Sequence, residues 1–327
     1  MKRRNAVHPS SGSTAGSQNR YRAIQPHQRV PQKPRRPDVI EYLGNSLVQH
    51  GPASNRVYLM KLDRADLPDI VDNMVALGRK HGYSKLFAKV SDDTEQAFSR
   101  RGFVREARSP LLVRGQNAGC FMGKYLSPER GVADDRATLS RTLALALSAA
   151  KGVETAPEKP TPPKVHKLTP EHAHELAALY EKVFSSYPFP IFDPAYLREA
   201  MAEATVFFGI REGDRLVAAA SSEMDMHWRC AEMTDFATLP EFRGRGAAAT
   251  LLASMEKTVS RLGILTAYTI ARGVSPGMNI VFARAGYRYD GTLTNNTHIA
   301  GGLESMNVWS KPLPAGQGLH SAIRNQG

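Results

Sequence analysis

The sequence predicts a mixed α/β protein with more sheet than a plain doubly wound fold, and three observations carry that expectation. Short β-rich runs alternate with stretches whose apolar residues recur at helical spacing. Glycines close those stretches, as at Gly82, Gly102 and Gly286. A proline-rich segment holding Pro157, Pro160, Pro162 and Pro163 divides the pattern in two. The chain has 327 residues, two domains' worth at about 150 each, and its 42% hydrophobic and 23% charged content is ordinary for globular protein.

Residues 38–130 read as an N-terminal α/β domain. Residues 39–48 and 56–61 look like strands. Asp66 and Pro68 announce a helix whose Ile70, Val71, Met74 and Leu77 share a face, stopped by Gly82. A strand at 86–90, a short helix at 94–101 closed by Gly102, and strands at 103–113 and 119–126 complete it. Residues 131–163 form a helix, with Leu139, Leu143 and Leu147 spaced by four, and then a stiff extended linker.

Residues 164–314 make the second domain. Thr169, Pro170 and Glu171 are a helix start: a capping hydroxyl, proline in the first turn, then acid near the positive dipole end. Leu176, Leu179, Tyr180 and Val183 are its apolar face, and a second helix covers 194–202. Strands follow at 205–210 and 215–221, joined by the turn Gly213-Asp214, and at 230–238. A helix from Gly246 lines up Leu251, Leu252, Met255, Val259 and Leu262. A strand at 264–270, a helix at 277–285 ended by Gly286, and strands at 287–293 and 305–310 finish the domain, leaving 315–327 as a flexible tail.

A faint internal repeat links the halves. Helix, strand, helix, then Arg100-Arg101-Gly102-Phe103 echoes helix, strand, helix, then Arg284-Ala285-Gly286-Tyr287. The first copy lacks a Gly-rich turn before its long helix. It therefore resembles a degenerate half-copy used for packing or pairing, unless any α/β unit ends this way.

Forty-three Lys and Arg against 31 Asp and Glu give a formal charge of +12. Nine of those charges lie in residues 1–37, which hold no acid and no hydrophobic periodicity, so that segment is expected to be a disordered basic tail. The body carries only +3, which argues against a nucleic-acid-binding face. No apolar run approaches the roughly 18 residues that span a bilayer. The basic start has no apolar core of a secretory signal, and its prolines argue against a transit helix. A cytoplasmic location follows. Two cysteines, Cys120 and Cys230, exclude a disulfide framework and are expected as unpaired thiols. His166, His172 and His174 do not share a helix face at i, i+4, so no metal is expected.

The strongest local motif is Arg243-Gly244-Arg245-Gly246-Ala247-Ala248, between a predicted strand and an amphipathic helix. Its small residues let a ligand approach the backbone, and the helix start offers unpaired N–H groups and a favourable dipole to an anion such as a pyrophosphate. No Gly-Lys-Ser/Thr follows, so it is not a Walker loop, and with only Gly244 and Gly246 it is not the dinucleotide GxGxxG. Alone, it could be an ordinary strand-to-helix turn.

Its context resembles the GNAT acyl-CoA N-acetyltransferases, whose Arg/Gln-x-x-Gly-x-Gly/Ala pattern it fits. The element order of residues 164–314 is similar to that fold, and Asn279 leading into Phe282-Ala283-Arg284-Ala285-Gly286-Tyr287 looks like the family's Asn helix and Gly-aromatic ending. Longer stretches resemble the β-lysine N-acetyltransferase subfamily. They are Tyr187-Pro188-Phe189-Pro190-Ile191-Phe192-Asp193-Pro194, Glu232-Met233-Thr234-Asp235-Phe236-Ala237-Thr238-Leu239-Pro240, Glu304-Ser305-Met306-Asn307-Val308-Trp309, and Tyr83-Ser84-Lys85-Leu86-Phe87-Ala88-Lys89-Val90.

The resemblance implies acetyl-CoA as co-substrate, no metal, and attack of a neutral amine on the thioester in a ternary complex. Glu232, eleven positions before Arg243, matches the general-base position of some members. Asp235 is the weaker alternative, because alternation points it to the other face unless a bulge intervenes. The resemblance also implies an oxyanion donor on the third-strand backbone around Phe236 and Thr238. The cofactor set is then Phe236, Thr238, Leu239, Arg243, Gly244, Arg245, Gly246, Ala247, Ala248, Asn279 and Phe282. Phe282 stands where many members carry an acid Tyr, leaving Tyr287, Tyr187 or water for the thiolate. Tyr187, Glu223, Glu304 and Asn307 are the substrate candidates by position.

The expected activity is acetylation of L-β-lysine at Nε, giving a compatible solute. Another amine acceptor, a polyamine or a protein lysine, is the rival enzyme reading, and nucleic-acid binding through the basic tail the rival outside enzymes. The expected partner is a small-molecule amine, with no membrane. A homodimer stays open.

Overall fold

The computed structural model describes residues 38–152 and 162–314. The expected basic tail, most of the proline-rich linker and the tail at 315–327 lie outside the described residues.

The first predicted strand is two. Gly44, at φ +69°, and Asn45 turn the chain, so Val39–Leu43 (β1) and Ser46–Gly51 (β2) form a hairpin. The Gly44-Asn45 pair is the sequence signal of that turn, and the single strand expected at 39–48 runs across it. Arg56–Lys61 (β3) pairs antiparallel with β2, and Asp69–Lys80 (α1) crosses to Lys85–Ser91 (β4), which is parallel to β3. Ile70, Val71 and Met74 of α1 are buried against Leu86, Ala88 and Val90. After the short helix Glu95–Ser99 (α2), Val104–Val113 (β5) and Asn117–Tyr125 (β6) form a hairpin, with β6 next to β4.

Arg136–Lys151 (α3) follows. Its buried positions are Thr142 and Ala146, with Leu139 and Leu143 half-buried; Leu147 is 42% exposed, so the expected leucine row does not face the core along its whole length. The short edge strand Val165–Lys167 (β7) carries no sequence signal. Then come Ala173–Val183 (α4), Pro194–Ala202 (α5), Thr205–Glu212 (β8), Arg215–Asp225 (β9) and Cys230–Thr238 (β10). Ala247–Arg261 (α6) leads to Thr266–Arg272 (β11), and Pro276–Arg284 (α7) to the long hairpin Arg288–Ile299 (β12) and Gly302–Pro312 (β13). That hairpin is longer than expected because its polar middle, Thr294-Asn295-Asn296-Thr297, stays in the sheet through a register shift.

All thirteen strands of the described residues join one sheet, ordered β1-β2-β3-β4-β6-β5-β12-β13-β11-β10-β9-β8-β7. The repeat is therefore deeper than the echoed Gly-aromatic endings. Three antiparallel strands, a helical crossover to a parallel fourth, a second helix, and a hairpin whose last strand inserts next to the fourth describe β1–β6 and equally β8–β13. The copies meet through equivalent strands, β5 and β12, as in an isologous pair built into one chain. At that seam Gly291 pairs with Ala107, and a Cβ on Gly291 would stand 2.2 Å from the Glu106 carbonyl oxygen.

Successive residues of β10 and β11 enter different cores. Ala231, Met233 and Ala267 pack with Leu251, Leu252 and Met255 of α6, whereas Cys230 and Tyr268 pack with Phe87, Phe121, Met306 and Val308. The second core draws on both copies. It places the N-terminal copy over one face of the C-terminal sheet. Among the described residues, no helix is long and apolar enough to cross a membrane.

Candidate active site

Two features of β10 shape the site. It pairs in parallel with β11 only over residues 230–232, so beyond Glu232 and Tyr268 the strands part. Its pairing with β9 shifts register between Thr234 and Ala237, with Asp235 at φ +55°. This is a bulge, and bulges re-aim side chains. The alternation that would send Asp235 away from Glu232 is broken. Its carboxylate accepts from Tyr187 Oη at 2.5 Å and from Ser221 Oγ at 2.6 Å, and Ser221 lies two residues from Glu223 on β9.

Glu223 and Glu232 are direct cross-strand partners. Like charges there repel, which raises the proton affinity of the pair. Glu223 is exposed near the end of its strand. The protein packed around its carboxyl, then the charges of Glu232 and Asp235, push it up to about 8, against the pull of Lys89. Burial also raises Glu232; Lys89, the Tyr268 hydroxyl and the Ile270 N–H oppose it. Burial raises Asp235 in turn, opposed by its Ser221, Tyr187 and Thr234 hydrogen bonds. Three carboxyl groups with elevated proton affinity thus gather beside the gap between β10 and β11. Such a cluster can hold an ammonium and take its proton.

The turn after β10 bears the motif. Gly244 and Gly246 have φ of +77° and +81°, and a Cβ on either would meet nothing within 4 Å. The space above the turn is open. The first helical hydrogen bond of α6 runs from Thr250 N to Gly246 O, so the N–H groups of Ala247 and Ala248 precede the ladder. Arg243 and Arg245 are exposed, Arg243 donating to Thr238 O and Arg245 to Glu241 O. These residues fit a pyrophosphate: outward donors, open approach, two cations.

A family profile described as Acetyltransferase (GNAT) family matches residues 172–283. A β-lysine N(6)-acetyltransferase of Methanococcus maripaludis is 36% identical over 271 residues, covering 82% of this chain and 97% of that protein. The N-acetyltransferase YodP of Bacillus subtilis is 34% identical over 275 residues, covering 82% and 96%. The chain belongs to the GNAT acetyltransferase family. It is an acetyl-CoA-dependent N-acetyltransferase. A phosphinothricin acetyltransferase of Sinorhizobium meliloti, solved with acetyl-CoA, is 15% identical at a TM-score of 0.42, covering 47% of this chain and 90% of its own.

Within this acetyltransferase, other expected site residues have structural partners. Asn279 is fully buried and saturated: its amide donates to Arg272 O and Ser275 O, and its oxygen accepts from Asn307 Nδ2 and Trp309 Nε1. No capacity is left for a cofactor. Asn307 closes the network by accepting from Thr292 Oγ1, and Glu304 is held in a bidentate pair by Arg272. Neither joins the acidic cluster. Tyr287 is buried against Phe282, near Glu256 of α6, which with desolvation pushes its hydroxyl well up. Phe282 stacks edge-on against Phe236, and Leu239 is buried with its N–H bonded to Val217 O.

Sequence reasoning missed the contribution of the N-terminal copy. Lys89 of β4 donates to Tyr268 Oη at 2.9 Å. Gln49 of β2 donates to Pro188 O in the acceptor-side loop. Both lie on the strand face away from α1, a periodicity visible in the sequence whose target was not. Cys120 and Cys230 are free and buried, and burial pushes each thiol up to about 12, so neither is a nucleophile. Among the described residues no group of three or more His, Cys, Asp or Glu could hold a metal.

Proposed function

We propose that the enzyme transfers acetyl from acetyl-CoA to the ε-amine of L-β-lysine, giving Nε-acetyl-β-lysine. The observation that carries this reading is the acidic cluster of Glu223, Glu232 and Asp235, with Lys89 facing it. β-Lysine carries two ammonium groups and one carboxylate, and its net positive charge suits a cluster of acids. The names of the Methanococcus maripaludis relative and of a Methanosarcina mazei β-lysine N(6)-acetyltransferase, 36% identical over 159 residues, support the same acceptor.

In this mechanism Arg243, Arg245 and the N–H groups from Gly244 to Ala248 hold the pyrophosphate of acetyl-CoA, whose thioester supplies the acyl group. Glu232 takes the proton of the ε-ammonium, directly or through water, and frees the attacking lone pair. Backbone donors near Phe236 and Thr238, at the parted edge of β10, receive the developing oxyanion. Glu223 and Asp235 hold the retained ammonium. No side-chain acid is assigned; the second proton of the attacking nitrogen passes through water to the departing thiolate. The product has one ammonium fewer and is nearer neutrality, which suits a solute accumulated under salt stress.

Purified enzyme incubated with acetyl-CoA and an amine panel, with CoA release followed, tests the acceptor. We expect β-lysine to give the highest kcat/KM. Turnover of polyamine or peptide lysine without turnover of β-lysine would overturn the reading.

A further inference from the structure

We propose that the N-terminal copy is part of the catalytic machinery: Lys89, anchored on the Tyr268 hydroxyl beside Glu232, supplies the counter-charge of the Glu232 carboxylate. This rests on Glu232 being the base.

β4 presents two lysines on its face away from α1, and they differ. Lys85 is fully engaged, donating to both oxygens of Glu106 and to Thr294 O, so its role is structural. Lys89 has no carboxylate within ion-pair distance among the described residues. Its Nζ donates to Tyr268 Oη and sits 5.1 Å from the Tyr268 ring centroid and 5.6 Å from that of Trp228. Tyr268 is the register partner of Glu232 on β11, so the two side chains stand side by side on one face of the sheet. Lys89 of one copy is thus anchored beside Glu232 of the other.

Around this pair stand Glu223 and Asp225 of β9, Cys230 and Asp235 of β10, and Tyr58 and Arg56 of β3. Burial disfavours the Lys89 ammonium, but Tyr58, Cys230, Glu232 and Asp225 outweigh it, so Lys89 stays charged across the working range. Its charge favours ionised Glu232 and Glu223. The N-terminal copy cannot offer a second cofactor turn. Its α1 starts with Asp69 and Asp72, and Asp63 and Asp66 precede them, all hostile to a phosphate. Its remaining contribution to the chemistry is this cation.

The test is the pH profile of kcat/KM in wild type, Lys89→Met, Lys89→Arg, Tyr268→Phe and Glu232→Gln. Without the cation the base holds its proton to higher pH. We expect the acidic limb of Lys89→Met to move up by about one pH unit, with about tenfold loss at pH values below the wild-type limb and recovery to within about threefold on the alkaline plateau. Lys89→Arg keeps the wild-type limb, and Tyr268→Phe shifts it less than Lys89→Met. A uniformly lowered rate with an unmoved limb in Lys89→Met overturns the proposal, as does an equal shift in Lys89→Arg. If Lys89→Met does not fold, an unmoved limb in Tyr268→Phe overturns it. An unchanged profile in Glu232→Gln instead removes the base on which the proposal rests.

Discussion

Glu232 sits between two influences of opposite sign, enclosure and neighbouring acids on one side and Lys89, Tyr268 and the Ile270 N–H on the other. Because its carboxyl is raised, the fraction able to take a proton grows with pH, so the rate climbs through the acid range. Glu232→Gln cannot take that proton, and we expect kcat to fall by about 10²–10⁴ and the acidic limb to vanish, as read by CoA release across pH. The position of Glu232 was legible in the sequence, from its place before the Gly-rich turn. The orientation of Asp235 was not, because alternation assumes an unbroken ladder and the bulge at φ +55° breaks it. Asp235→Asn tolerates that backbone and keeps a partner for Ser221, so we expect folding to persist. Asp235→Ala leaves the Tyr187 and Ser221 hydroxyls unpaired and costs about 1–3 kcal/mol in urea denaturation. Asn279 and Asn307 show the converse: polar residues in family-like stretches suggested ligand contacts, and each has hydrogen-bond partners inside the protein.

The Gly-rich turn is the element best read from sequence alone, since a left-handed conformation before a helix has a direct residue signature. Gly246 caps α6 at φ +81°, where a β-branched side chain is strained by about 1–3 kcal/mol. With no neighbour to clash, the cost falls on the turn and not on the core. Gly246→Val is expected to raise KM for acetyl-CoA by about tenfold while leaving the thermal midpoint within a few degrees. The hairpin β1–β2 and the strand β7 were less legible. The first turns at Gly44-Asn45, inside what was expected as a single strand, and the second is three residues long at a sheet edge.

Across the whole molecule, the two copies are joined by polar residues of β12. Lys85 donates to Thr294 O, Arg130 to Asn295 O, and Arg56 to Asn296 O and Thr297 Oγ1. Burial lowers Lys85 to about 8, with Glu106 opposing. A depressed lysine contributes most stability above pH 10.5 and loses it as pH falls to about 8, so at neutral pH the Lys85–Glu106 pair is retained at a desolvation cost. Breaking it is worse. Glu106 also accepts from the Tyr125 hydroxyl and the Thr294 N–H. We expect Lys85→Met to cost about 3–5 kcal/mol in urea denaturation by stranding a buried carboxylate. Activity should fall with it, because the same seam holds Lys89 over Tyr268.

The sequence by itself determined the α/β class, the strand and helix order of the C-terminal copy, the Gly-rich turn and the place of Glu232 on the strand before it. Each rests on residues close together in the chain: periodicity, glycine conformation and helix-start chemistry. Only the tertiary structure decided that the N-terminal copy repeats the full strand order and lies over one face of the C-terminal sheet. It also decided that a bulge brings Asp235 to Glu223 and Glu232, and that Lys89 reaches Tyr268 across 179 positions of sequence. Such pairings depend on which strands share a sheet and in what register, and a one-residue shift would turn every one of those side chains to the opposite face.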